Sequence, residues 1–210
     1  MVNESEIKEG EKRYVPSREK TFMGYFLPSN TVVIAMIGIF GALICVLTMA
    51  VQIPIPATGG YINIGDLAVM ITGLLFGPVI GGIAGGVGSM LADLLSGYVI
   101  YAPATLIIKG LEGFVIGIIA NPRKNYKKLT YRDPIAVVVG GFIIVSGYFI
   151  YESLLYGPAV ALVEIPGNIF QFIFGAIFAI IFATTVRRRI IDALPEAFEK
   201  IFIIEIPESS

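Results

Sequence analysis

The sequence predicts an all-α membrane protein with six transmembrane helices and cytoplasmic N and C termini, and three observations predict it. Hydrophobic residues make up 56% of the 210 residues and the mean hydropathy is +0.82, above what a soluble domain of this length carries. The apolar residues are gathered into blocks. Fourteen of the fifteen Lys and Arg residues fall in three polar segments, and the exception, Lys109, lies inside an apolar run three residues before Glu112.

The first block, Thr31 to Val51, is uncharged and long enough to cross a ~30 Å hydrocarbon core as a helix. Others follow at Leu67 to Phe76, Pro78 to Leu95, Pro103 to Ala120, Pro134 to Tyr151 and Ile165 to Val186. The second is short, and Gly77-Pro78 divides it from the third, so the two form a tight hairpin in preference to a re-entrant pair. The third contains Gly81, Gly82, Gly85, Gly86 and Gly88. With no preceding strand and no Lys beside them, these glycines indicate close helix packing and not a phosphate loop.

Charge sets the expected sidedness. Five basic residues precede Asn30, five more (Arg123, Lys124, Lys127, Lys128, Arg132) lie between Asn121 and Asp133, and Arg187, Arg188, Arg189 and Lys200 follow the last block. The opposite connections, Gln52 to Asp66, Ser96 to Ala102 and Glu152 to Glu164, hold no Lys or Arg. By the positive-inside rule the basic segments face the cytoplasm. The expected organisation is a polar cytoplasmic segment over 1–30, a six-helix domain over 31–186 and a cytoplasmic tail over 187–210. Nothing resembling a cleaved signal peptide precedes the first helix, which is expected to stay in the membrane.

Several chemistries are excluded. There is no His, hence no His-ligated haem, no His-Glu-x-x-His metal site and no His general base. No Gly-x-x-x-x-Gly-Lys-Ser/Thr loop occurs, so any nucleotide energy comes from a partner. Cys45 has no second cysteine to pair with. No cofactor, metal or nucleic acid is expected.

Polar residues within the apolar blocks are costly and mark function or pairing. Counted from the outer end at 1.5 Å per residue, Lys109 lies about 9 Å deep, Glu112 about 13 Å, and Asn168 and Gln171 roughly 4 to 9 Å on one helix face. Tyr148 and Glu152 share a face near the outer end of the fifth helix, and Asp93 lies near that of the third. All are in the outer half, whereas the inner half has almost no polar side chains, a pattern of an outward pocket and not a channel. Simpler readings stand beside this one. Lys109 and Glu112 form an ion pair, Asp66 caps the second helix, Asp93 is a solvated helix end, Tyr98 and Tyr101 are interfacial belt residues, and Asn168 and Gln171 bond between helices. One Lys against Asp66, Asp93, Glu112, Glu152 and Glu164 leaves a formal −4, which favours a neutral or cationic ligand over a polyanion.

The connection from Gln52 to Asp66 joins stiff prolines to permissive glycines, as a lid with a hinge would. Together with the Gly-rich third helix and the run Tyr101-Ala102-Pro103-Ala104-Thr105 to Ile108-Lys109-Gly110-Leu111-Glu112-Gly113, it resembles the S component of energy-coupling factor (ECF) vitamin transporters. The resemblance covers about Val32 to Ala120, and the remaining helices match in number and polarity. It implies a six-helix subunit that captures a vitamin or precursor outside the cell and joins a transmembrane T subunit and two ATPase subunits in the plasma membrane. The loop after helix one, here with Thr58, Gly59, Gly60 and Tyr61, closes over the ligand. The nearest likeness is to the riboflavin, hydroxymethylpyrimidine and pyridoxine group, with a small pyrimidine or pyridine ring favoured. On that reading Lys109, Asn168 and Gln171 bond the ring and its hydroxyls, Tyr98, Tyr101 or Tyr148 stack on it, Glu112 or Glu152 reads a nitrogen or amine, and Asn63 adds to the site. Spacing alone places the small face of helix one, Ala35, Gly38 and Ala42, inside the chain. The resemblance reverses this and makes it the T-subunit dock.

Two other functions fit less of the sequence. A stand-alone secondary transporter needs no partner ATPase. An intramembrane aspartyl protease would pair Asp66 with Asp93, but Asn63 replaces the first Gly of its Gly-x-Gly-Asp pattern. In the tail, Ile190, Ile191, Leu194, Phe198, Ile201 and Phe202 recur at helical spacing, an amphipathic pattern that Pro195 interrupts. The first twenty residues and the last few are expected to be solvated.

Overall fold

Uncharged apolar runs have nowhere to satisfy their backbone in hydrocarbon except within a helix, and all six blocks are helical. The computed structural model describes residues 20–124 and 128–203. Five helices, α1 (Thr31–Ala50), α3 (Pro78–Ser96), α4 (Ala102–Ala120), α5 (Arg132–Tyr156) and α7 (Ile165–Ala193), are long and apolar enough to cross a membrane. Helix α2 (Gly65–Phe76) is apolar but has 12 residues, about 18 Å at 1.5 Å per residue. Short elements complete the chain: strands β1 (Thr21–Phe22), β2 (Tyr25–Phe26), β3 (Gln52–Ile55) and β4 (Gly60–Asn63), and helices α6 (Pro158–Ala161) and α8 (Pro195–Glu199). The all-α membrane class expected from the sequence is borne out. The connection after α1 is a β-hairpin, in which backbone groups that α1 cannot satisfy pair with each other.

Glycine sets how closely the helices approach. A Cβ on Gly81 would come within 2.7 Å of Gly73 Cα and 2.8 Å of Gly113 O, and one on Gly86 within 2.6 Å of Leu106 O. Helices α2, α3 and α4 therefore meet backbone to backbone, as the glycine run predicts. On the other side of α3, Gly88 lies against the Gly41 backbone of α1. Gly77 joins α2 to α3 as a single residue with φ +82°, and its bare Cα accepts the ring of Tyr25.

Several boundaries differ from the apolar blocks. Helix α5 runs on to Tyr156, so Glu152 is helical and does not open a connection. Helix α7 continues through Arg187, Arg188 and Arg189 to Ala193, because arginines are good helix formers and nothing breaks the helix before Pro195. Arg187 is 1% exposed: it donates to Asp133 Oδ1 at 2.5 Å and to the carbonyls of Leu74 (3.0 Å) and Lys128 (3.3 Å). The half of the bundle expected to lack polar side chains thus contains a buried ion pair joining α2, α5 and α7. The tail is not one amphipathic helix. It breaks at Leu194, and Phe198, Ile201 and Phe202 are buried against Tyr25, Phe26 and Phe76. Phe26 N donates to Ile201 O (2.9 Å) and Ile203 N to Gly24 O (2.8 Å), which ties the β1–β2 hairpin to this segment. The solvated ends expected from the sequence lie largely outside the described residues.

Leucine at Gly113 would drive a branched side chain into the Gly81 backbone, so Gly113→Leu should destabilise the protein by about 1–3 kcal/mol or more, whereas Gly38→Leu, which faces open space, should not. Thermal unfolding of the purified variants in detergent checks both.

Candidate functional site

The site is built under the β3–β4 hairpin. Its strands pair antiparallel, with Gln52 opposite Asn63 and Ile55 opposite Gly60. The turn closes when Thr58 N (3.3 Å) and Gly59 N (3.0 Å) donate to Ile55 O, with Gly59 at φ +67°. The tip is clasped from two sides. Thr58 Oγ1 donates to Glu164 Oε1, and Tyr101 OH donates to Thr58 O at 3.1 Å. A Cβ on Gly60 would sit 2.7 Å from Glu164 Oε1 and 3.1 Å from Tyr101 OH, so the clasp requires glycine there. At the base, Asn63 N donates to Gln171 Oε1, and Gly65 N donates to Asn63 Oδ1 at 2.9 Å. On the side, Tyr61 OH donates to Asp93 Oδ1 at 2.6 Å, and Gln52 Nε2 donates to Ser96 Oγ at 3.0 Å.

Burial acts on these groups. It pushes the Tyr61 hydroxyl up, helped by the Asp93 charge, and so keeps the phenol a donor. It pushes the Glu164 carboxyl up as well, with the Thr58 hydroxyl partly offsetting the shift. A carboxyl held up in this way gives up its charge more readily, which lowers the cost of burying it beneath the hairpin.

Below the hairpin is a cavity of about 20 Å³, room for one water molecule. Gly60, Tyr61, Asn63, Tyr101 and Glu164 form its roof, and α1 and α3 contribute Thr48, Ser89 and Asp93. The remaining wall comes from Thr105 and Lys109 of α4, Tyr148 and Glu152 of α5, and Asn168 and Gln171 of α7. Some polar atoms here have partners: Gln171 Nε2 donates to Asn168 Oδ1 at 3.4 Å, and Thr105 Oγ1 lies 3.1 Å from Tyr148 OH. Others have none among the described residues, namely Thr48 Oγ1, Ser89 Oγ, Asp93 Oδ2, Glu152 Oε2 and Asn168 Nδ2.

Lys109 forms the floor. Its Nζ pairs with Asp66 Oδ1, lies 3.8 Å from Glu112 Oε2 and sits 5.7 Å from the centre of the Tyr148 ring. The N-cap position of α2 belongs to Ile64, and Asp66 lies in the first turn with 1% exposure. The capping role expected for Asp66 is therefore corrected: its carboxylate pairs with the buried ammonium of Lys109, and α2 has no side-chain cap. The Lys109–Glu112 pair is present as the weaker of two contacts.

The structure thus brings together Lys109, Asn168, Gln171, Tyr101, Tyr148, Glu152, Asn63, Gly60 and Tyr61. Glu112 is fully buried beyond Lys109 and does not line the cavity. Tyr98 is half-buried and packs against Tyr61 from outside the cavity, with ring centres 4.2 Å apart and the planes tilted by 37°. Thr58 and Gly59 belong to the clasp and the turn. Thr48, Ser89 and Thr105 carry no signal of a binding role in the sequence, because lone hydroxyls in apolar helices ordinarily bond their own backbone. Asp93 and Glu164 were legible only as charges at the right depth. Asp66 and Asp93 have different partners, Lys109 and Tyr61, and make no carboxylate dyad.

On α1, the face expected from spacing to pack inward is instead exposed: Ala35, Gly38 and Ala42 all lie on the bundle surface, and a Cβ on Gly38 would meet nothing within 4 Å. The inward glycine is Gly41, against Ala84 and Gly88.

Comparison with known proteins agrees with this architecture. An uncharacterised protein of Pyrococcus woesei is 44% identical over 134 residues, 64% of this chain and 87% of that protein. The thiamine precursor transporter HmpT of Lactococcus lactis subsp. cremoris is 31% identical over 156 residues, 74% of this chain and 87% of the transporter. Residues 29–188 match the family described as ECF-type riboflavin transporter, S component. This match spans five of the long helices, α2 and the hairpin that roofs the cavity, and the chain belongs to that family: it is a multi-pass membrane S component, a transport subunit and not an enzyme.

Proposed function

We propose that this S component captures a small neutral or cationic ring from outside the cell and that the β3–β4 hairpin closes over it. A hydroxymethylpyrimidine-like or pyridoxine-like vitamin precursor is favoured over riboflavin. The observation that carries this is the set of buried polar atoms without a partner among the described residues, Thr48 Oγ1, Ser89 Oγ, Glu152 Oε2 and Asn168 Nδ2, on residues that line one cavity. Each unsatisfied buried group costs about 1–3 kcal/mol, which a ligand with matching donors and acceptors recovers. An amino or hydroxymethyl group donates to Glu152, the Asn168 amide donates to a ring nitrogen, and Tyr101 or Tyr148 offers a ring face.

Charge and size support the same class. Asp66 and Glu112 outnumber Lys109 two to one, and Asp93 and Glu152 add further carboxyl groups to the wall, a field that disfavours an anion. A cavity of about 20 Å³ admits a ring only when the hairpin lifts, and a small ring requires less displacement than an isoalloxazine with its side chain. The name of the Lactococcus relative, a thiamine precursor transporter, points the same way. Family membership supports ATP-driven uptake through a T subunit and two ATPase subunits, with Ala35, Gly38 and Ala42 as the exposed docking face.

Calorimetric titration of the purified full chain tests the ligand class. Hydroxymethylpyrimidine or pyridoxine should bind more tightly than riboflavin, and Asn168→Ala and Glu152→Gln should each weaken that ligand roughly tenfold or more, about 1.4 kcal/mol. Binding of riboflavin alone, or unchanged affinity in both variants, refutes the assignment. For docking, Gly38→Leu should abolish co-purification with the T subunit while ligand affinity stays at the wild-type value; retained co-purification would remove this face from the interface.

A further inference from the structure

We propose that the groove between α3 and α4 holds one acyl chain of an anionic phospholipid, whose phosphate lies against Lys20, just before β1, and Arg123, just after α4. The groove has a volume of about 600 Å³ and almost wholly apolar walls, among them Ile83 and Val87 of α3 and Leu106, Leu111 and Phe114 of α4. It faces away from the ligand cavity and shares no lining residue with it. Along α3 it extends from Pro78 to Val87, about 13 Å at 1.5 Å per residue, close to the depth of one leaflet in a ~30 Å core.

Two features argue for a lipid chain rather than a partner helix. The first is the closed end. Phe22, Leu27 and Pro28 of the hairpin segment line the groove there, with the Phe22 ring 5.9 Å from Phe114. A helix of about 10–12 Å diameter running along α3 and α4 would meet this segment, whereas a flexible chain needs only the width of the groove. The second is charge at that same end. The Lys20 carbonyl accepts from Leu27 N at 3.0 Å, which places this exposed lysine beside the groove, and the Arg123 guanidinium occupies the space a Cβ on Gly24 would fill. Basic residues at the end of an apolar groove attract anionic headgroups.

The groove floor fits the same reading. Unlike Gly81 and Gly86, Gly110 is not required by helix packing, because a Cβ there would make only ordinary contact, 3.5 Å from Gly82 O. Its missing side chain instead deepens the groove.

The test uses the full chain in phosphatidylcholine nanodiscs doped with phosphatidylglycerol carrying a photoreactive diazirine on one acyl chain, with adducts mapped by peptide mass spectrometry. Groove residues should be labelled at least roughly fivefold more than the exposed faces of α1 and α7, the preference that one basic contact supplies. Gly110→Leu should bring groove labelling down to the level of those faces. Should that variant fail to elute as a single species, Lys20→Ala with Arg123→Ala leaves the helix packing untouched and should equalise labelling by phosphatidylglycerol and phosphatidylcholine probes. Uniform labelling of all lipid-facing helices, or groove labelling unchanged by the substitutions, overturns the proposal.

Discussion

The buried ammonium of Lys109 is the constraint around which the site is organised. A charge in the hydrocarbon region must be paired, and its nearest partner, Asp66, stands in the first turn of α2. That pairing joins the start of α2 to α4, and the β3–β4 hairpin leads directly into the paired end of α2. The hairpin is thereby set above the pair, and the space between them is the cavity. Glu112 supplies a second carboxylate from the next turn of α4, so the buried ammonium has its counter-charge within the protein. The polar atoms around it remain for other partners.

The walls need a rigid frame, and glycine supplies it. Backbone contact among α2, α3 and α4 leaves no room for rotamer adjustment on that side of the bundle, while α1 meets α3 at Gly41 and Gly88. Helices α5 and α7 are held to α2 at the opposite end by Arg187 and Asp133. Polar interactions thus lie at both ends of the bundle, with close apolar packing between. The hairpin differs: it is attached to the helices mainly through hydrogen bonds from Thr58, Tyr101, Tyr61 and Asn63, which can exchange for bonds to water when it opens. One element can therefore move while the helices that display Lys109, Glu152 and Asn168 stay in place.

Much of this was legible in the sequence, for reasons that can be named. The helices follow from apolar run length, and Lys109 with Asn168 and Gln171 follows from the cost of polar groups in hydrocarbon, which makes each conspicuous. The Lys109–Asp66 pair was not legible, because it joins two helices and an aspartate just before an apolar run has the same appearance as a cap. The burial of Arg187 was hidden by Arg188 and Arg189, since three consecutive arginines read as one solvated cluster although a helix turns each to a different face. The outward direction of Ala35, Gly38 and Ala42 was ambiguous for a related reason: spacing defines a face without saying what it meets. Thr48, Ser89 and Thr105 gave no signal, being hydroxyls that apolar helices tolerate anywhere.

Hydrogen exchange of the hairpin amides measures most directly whether a ligand is held beneath a hairpin that closes. On adding saturating hydroxymethylpyrimidine or pyridoxine to the purified chain, amides between Thr58 and Asn63 should exchange at least roughly tenfold more slowly, corresponding to about 1.4 kcal/mol of added protection, while those of α3 and α4 stay unchanged. Ligand binding that leaves hairpin exchange unaltered would contradict closure of the hairpin over the ligand.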